Sequence, residues 1–195
     1  MRSRCVVLAL VLASSGAAVG APSKGRPAPA VHGGGGDGLA AGNVIVRGDT
    51  MFQFVKTEGQ ALKSFQIIMR PTVEFLVTRW LAVGGFMRTA YVHTWANGAK
   101  ADTGMLDFGP RVTAYIIPSG IFHPYIAVGF GYDHLFVPGP DGNGLILEPE
   151  VGLAIVTGKL GAFLSVAYDF RWVKCQGVKV KTHSLPFGFG FGARF

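Results

Sequence analysis

The sequence predicts an all-β fold, an eight-stranded antiparallel β-barrel that crosses a membrane. Three observations carry the prediction. Of 195 residues, 49% are hydrophobic, 15% are charged and 29 are glycine. That mixture is too apolar for an ordinary soluble surface and too glycine-rich for helices. After residue 42 the apolar residues recur at every second position, which is the period of a strand. One face of that alternation is almost free of charge, and the other collects arginines and carboxylates.

The same composition excludes other classes. There is ample apolar surface to bury, so the chain is not a disordered one. The formal charge is +7, but the 18 Lys and Arg are scattered and form no stripe, so no nucleic-acid partner is expected.

Residues 1–21 read as a secretory signal peptide. Arg2 and Arg4 are its positive start, residues 5–13 its apolar stretch, and Val19-Gly20-Ala21 suits cleavage after Ala21. An apolar stretch this short cannot span about 30 Å of hydrocarbon. Cleavage leaves Cys175 as the only cysteine, so no intrachain disulfide forms. Residues 22–42, with Pro22, Pro27, Pro29 and Gly33-Gly34-Gly35-Gly36, read as a flexible leader. The glycine run lacks the Lys-Ser/Thr ending of a phosphate loop. The barrel domain is then residues 43–195.

Strands are expected near 43–55, 64–76, 81–94, 105–117, 122–134, 145–156, 161–173 and 182–195. The second shows the alternation plainly: Phe65, Ile67, Met69, Pro71, Val73 and Phe75 on one face, Gln66, Ile68, Arg70, Thr72 and Glu74 on the other. The fourth sets Leu106, Phe108, Pro110, Val112, Ala114 and Ile116 against Asp107, Gly109, Arg111, Thr113 and Tyr115. Each segment is long enough for the roughly 9–11 residues a tilted strand needs to cross a bilayer. Residues 77–80, 118–121 and 157–160 are tight turns. Residues 56–63, 95–104, 135–144 and 174–181 are expected to be longer loops. Alternation of short turns and long loops marks a bacterial outer-membrane barrel.

Polarity decides which face points out. A soluble barrel keeps its apolar face inside, and a membrane barrel inverts this. The charged face carries Arg47, Asp49, Arg70, Glu74, Arg88, Asp107, Arg111, Asp133, Glu148, Glu150, Asp169, Arg171 and Arg194. One arginine at mid-depth in lipid costs about 2–4 kcal/mol, so this face must turn inward. The expected interior is an Arg–carboxylate network, with Gly129, Gly131, Gly152, Gly188 and Gly190 leaving room for the arginines. Pro71, Pro110, Pro124 and Pro149 fall within strands on the apolar face, where bulges are expected to accommodate them. Tyr91, Trp95 and Trp172 lie toward the long-loop ends, and Trp80 and Phe195 at the short-turn end, as interfacial girdles do.

The last strand, Phe187-Gly-Phe-Gly-Phe-Gly-Ala-Arg-Phe195, alternates aromatic and small residues and ends on Phe. It resembles the C-terminal insertion signal of bacterial outer-membrane barrels, carried by Phe187, Phe189, Phe191 and Phe195. That resemblance implies recognition by the barrel-assembly machinery. His123-Pro-Tyr-Ile-Ala-Val-Gly-Phe-Gly-Tyr132, Arg70-Pro-Thr-Val-Glu-Phe75 and Leu81-Ala-Val-Gly-Gly85 resemble strands of OmpA-like and OmpW-like small barrels. The resemblance covers residues 43–195. No peptidoglycan-binding domain is expected after the barrel, unlike in full-length OmpA-type proteins.

Chemistry is sparse. His183 and Ser184 are adjacent and face opposite sides of a strand, so they cannot act as base and nucleophile. His93 has no Ser two places on, and the five His give no metal spacing. No catalytic residue, cofactor or metal is expected. Glu148 and Glu150 share a face, where a structural ion pair outweighs acid–base work. Cys175 reads as an exposed bystander. Lys56, Lys63, Lys100, Lys174, Lys179 and Lys181 gather at the long-loop end and could meet lipopolysaccharide phosphates.

The expected protein is a non-enzymatic, structural barrel of the bacterial outer membrane. Its partners would be outer-membrane lipid, with lipopolysaccharide as a further one. The alternatives are an OmpW-like transport barrel for small apolar molecules and a lipid A-modifying barrel enzyme.

Overall fold

The computed structural model describes residues 38–56, 62–96, 99–136, 142–175 and 178–195. The proposed signal peptide and residues 22–37 of the proposed leader lie outside them. The strands are β1 (Val44–Lys56), β2 (Leu62–Leu76), β3 (Leu81–Ala96), β4 (Ala99–Tyr115), β5 (Phe122–Phe136), β6 (Gly142–Thr157), β7 (Leu160–Ala167), β8 (Asp169–Cys175), β9 (Val178–Ser184) and β10 (Phe187–Arg194). All pairings are antiparallel, between β1 and β2 and so on through β5 and β6, then β6 with β7 and β7 with β10. Pairing of β1 with β10, from Ile45↔Arg194 to Phe52↔Phe187, closes the ring.

The ten segments make eight staves. β8 continues β7 along β6 in one register, interrupted only at Tyr168. β9 continues into β10 in the same way, interrupted at Leu185 and Pro186. Across the first break, Tyr168 donates its N–H to the Pro149 carbonyl at 2.8 Å, and Ala167 to the Pro186 carbonyl at 3.1 Å.

Prolines cause gaps without bulges. Met69 pairs with Thr89 and Thr72 with Phe86, so the register is unchanged across Pro71. The same holds across Pro110, where Phe108 pairs with Tyr132 and Arg111 with Gly129. The expected bulges are therefore not used. Proline keeps an extended backbone and removes only its own donor, so the ladder loses a bond in place and resumes.

The short turns fall where expected. Gly158, at φ 57°, lets Thr157 and Leu160 pair around a two-residue connection. The expected long loops are shorter than the sequence suggested. β3 and β4 pair up to Ala96↔Ala99, and β8 and β9 up to Cys175↔Val178. Most of residues 95–104 and 174–181 is thus strand. Apolar alternation fades before the strands end, and the backbone ladder continues beyond it through Thr and Lys.

The outer face carries exposed Val46, Ile67, Met69, Val73, Val83, Ile126, Val128 and Val151. Inside, side chains stack in three layers. At the short-turn end, Ile45, Leu76, Tyr115, Tyr125, Val156 and Phe163 cluster around Leu39. Leu39 donates its N–H to the Pro118 carbonyl at 3.0 Å, and Gly42 to the Leu76 carbonyl at 2.8 Å. Residues 38–42, the end of the proposed leader, are thereby seated on the barrel. At the other end Met51, Ile68, Ala90 and Met105 form one cross-strand row, with Leu135 packed beside it. The charged residues lie between these apolar layers.

Candidate functional site

Inward positions of seven staves bring the charges together. Asp49 and Arg70 are directly opposite on β1 and β2, and Arg88 and Asp107 on β3 and β4. Glu148 and Glu150 both point inward from β6, and Asp169 and Arg171 from β8.

Two linked clusters result. In the one toward the short turns, Glu150 accepts from Arg47 Nη2 at 3.3 Å, Arg111 Nη1 at 3.0 Å, Tyr125 Oη at 2.7 Å, and Arg70. Glu74 accepts from Arg111 Nε at 3.0 Å, Tyr115 Oη at 3.3 Å, and Thr113. Arg47 lies 5.3 Å from the Tyr125 ring centre and 5.0 Å from that of Phe163, so its cation rests on the apolar layer below.

In the second cluster, Asp107 accepts from Arg88 Nε at 2.7 Å and Arg171 Nη2 at 2.9 Å. Asp169 accepts from Arg88 Nη2 at 2.9 Å and from Ser184 Oγ at 3.1 Å. Asp133 accepts from Arg171 Nη1 at 2.9 Å. Glu148 joins the two clusters, accepting from both Arg70 and Arg88. Arg70 reaches from β2 to two carboxylates of β6, and Arg88 from β3 to β6 and β8. These bonds run across the lumen, not merely between neighbouring strands.

The side chains are almost wholly removed from solvent, with Arg171 the most accessible at 6%. Burying one charge unpaired is very costly. Charge-assisted, partly bidentate bonds offset that cost. Five arginines face seven carboxylates in the network. Arg194 stands apart: it lies at the short-turn end and donates to the Gly38 carbonyl.

The glycines named for arginine clearance serve other neighbours. A Cβ on Gly129 would lie 2.9 Å from Phe86 Cε1, one on Gly152 2.4 Å from the Tyr125 ring, and one on Gly188 2.7 Å from Met51 Cγ. On Gly131 it would meet the Phe108 carbonyl oxygen at 2.4 Å, and on Gly190 the Asp49 carboxylate at 2.1 Å. They admit rings, a thioether, backbone and one carboxylate. The sequence showed that interior space was needed but not which side chain would take it. Tyr115, Tyr125 and Thr113 were missed as network members. Their inward parity beside Arg111 was the available signal.

Phe187, Phe189, Phe191 and Phe195 are all exposed on the outer face. The Phe195 N–H donates to the Val44 carbonyl at 2.9 Å, and Val44 N–H to the Phe195 carbonyl at 3.0 Å. His183 is exposed while Ser184 turns inward to Asp169, so the two do not meet. His93 contacts Asp102 on the outer face. Among the described residues, no group of His, Cys, Asp and Glu could hold a metal ion.

A closed ring of eight antiparallel staves with a polar interior and an apolar exterior decides the architecture. The fold is that of an eight-stranded outer-membrane barrel. It is similar to the crystal structure of outer membrane protein OprG from Pseudomonas aeruginosa, at 16% identity and TM-score 0.59, covering 82% of this chain and 98% of that one. It is also similar to Neisserial surface protein A, at 14% identity and TM-score 0.52, covering 79% and 99%. The N-terminal barrel domain of Pseudomonas aeruginosa OprF matches at 10% identity and TM-score 0.51, covering 80% and 100%. At these identities the likeness is one of fold. No family model matches the sequence, and no curated protein matches it.

Proposed function

We propose that this chain is an integral outer-membrane protein of the OmpA-like and OmpW-like kind, non-enzymatic, structural in the envelope and closed to ions. The carrying observation is the lumen-spanning set of bonds from Arg70 and Arg88 to Glu148, Glu150 and Asp169. An eight-stranded interior has little room beyond its own side chains. Here those side chains are cross-linked by charge, and the Leu39 cluster covers them at one end. The outward apolar face suits lipid and is unsuited to water. Planar-bilayer recording tests the reading. The full chain is expected to give no stable conductance, and a stable, large one would overturn it.

A second reading, passage of small apolar molecules sideways into the membrane, is favoured by one feature. Pairing between β1 and the last stave runs only to Phe52↔Phe187, beside the apolar row of Met51 and Ile68. Faster uptake of an apolar probe by liposomes or cells carrying the protein would favour it over the structural role.

A further inference from the structure

We infer that the outward face of β8 and β9 is a binding site for the phosphate groups of lipid A in the outer leaflet. This rests on the outer-membrane reading above. Side chains of paired residues share a face, so the register stacks three outward rungs. Phe170 pairs with His183, Trp172 with Lys181, and Lys174 with Lys179. On the adjoining strand, Leu145 pairs with Trp172 and Asn143 with Lys174. The ladder therefore passes from Phe170 and His183, through an exposed Trp172 beside Lys181, to the exposed pair Lys174 and Lys179. That order matches acyl chain, interface and headgroup.

Two further features point to an anion. Lys174 and Lys179 are directly opposite, an arrangement that repels unless a negative charge lies between them. Among the described residues, none of the three lysines has a carboxylate within ion-pair distance. Elsewhere on the rim the balance differs, because outward Lys100 shares its strand face with Asp102. A pocket of about 350 Å³ is lined by Asn143, Trp172, Val173 and the three lysines. It offers room for a phosphate, cationic donors, and an indole to lie against the sugar or the first acyl carbons.

The test is native mass spectrometry of the full chain in detergent, titrated with diphosphoryl lipid A. Heat-modifiable migration of each variant is followed in parallel. Each lysine near an anionic surface is worth about fivefold in affinity, so K174Q/K179Q/K181Q is expected to bind about a hundredfold more weakly. K100Q, on the opposite flank, is expected to bind as the parent does. Should the triple variant fail to fold, K179Q alone is expected to lose about fivefold. Unchanged binding by the triple variant, or equal loss in K100Q, overturns the proposal. Binding abolished by millimolar inorganic phosphate would assign the site to free phosphate and also overturn it. Recovery of the parent protein outside the outer membrane would overturn the membrane reading as well. Outer-membrane recovery with unchanged lipid A binding in the variants overturns this site alone.

Discussion

Arg70 on β2 stands directly opposite Asp49 on β1 and donates to its Oδ2 twice, from Nε at 3.1 Å and from Nη2 at 2.7 Å. The same guanidinium also reaches across the lumen to Glu148 and Glu150. Loss of this one cation would leave three buried carboxylates short of a partner.

Arg70→Met keeps bulk but removes the charge. Breaking a buried ion pair by deleting one partner costs about 3–5 kcal/mol. Arg70→Lys keeps the charge and loses the planar fork, so it should fall between parent and Met. Denaturant titration in lipid or detergent, followed by tryptophan fluorescence, measures both. A cost below about 1 kcal/mol for Arg70→Met would show that the network does not hold the barrel.

Glycine substitutions should separate by what a methyl group meets. At Gly84 a Cβ would lie 2.0 Å from the Val73 carbonyl oxygen, which is backbone and cannot move without disturbing β2–β3 pairing. At Gly129 the obstacle is the edge of the Phe86 ring. At Gly48, on the outer face, nothing lies within 4 Å. Gly129→Ala should cost about 1–3 kcal/mol, the usual range for overpacking. Gly84→Ala should cost more, and Gly48→Ala should stay within about 0.5 kcal/mol. The same titration ranks them, and an inverted order would refute the assignment of close contacts.

The period of two made the staves and their faces legible because each inward residue is followed by an outward one over the whole strand. Parity alone turns Arg70, Glu74, Arg111 and Glu150 inward. It cannot show that Arg70 skips its neighbour β3 to reach β6, since that depends on curvature and shear. Arg194 shows the limit: its parity matches the network, but its height places it beside Gly38. Strand ends were also misjudged near residues 95–104, where hydropathy reports the edge of the apolar band and not the end of hydrogen bonding. Leu39 was hidden inside a glycine-rich stretch whose composition masks a single anchoring side chain.

A charge placed on the outer face should report depth. Val128 is exposed on β5 at mid-strand, with Val112 on β4 and Pro149 on β6 as its paired neighbours. Ile116 is exposed at the short-turn end. In a bilayer, Val128→Arg should cost about 2–4 kcal/mol and Ile116→Arg about 0–1 kcal/mol. Reversible folding into phosphatidylcholine vesicles measures both. Equal costs at the two positions would argue against a membrane-spanning band.

Phe195 combines two roles that a pair of variants can separate. Its backbone exchanges hydrogen bonds with Val44 where the first and last staves meet, and its exposed ring contributes nothing to that exchange. Phe195→Ala keeps the backbone bonds and removes the ring. If the ring is read by the assembly machinery, Phe195→Ala should fold in detergent like the parent, with its stability changed by less than about 0.5 kcal/mol. In cells, however, its heat-modifiable, membrane-inserted fraction should fall several-fold. Deleting residue 195 removes the bonds as well, so it should also lower stability in detergent by about 1–3 kcal/mol. Normal insertion of Phe195→Ala in cells would show that the terminal aromatic ring is not the signal.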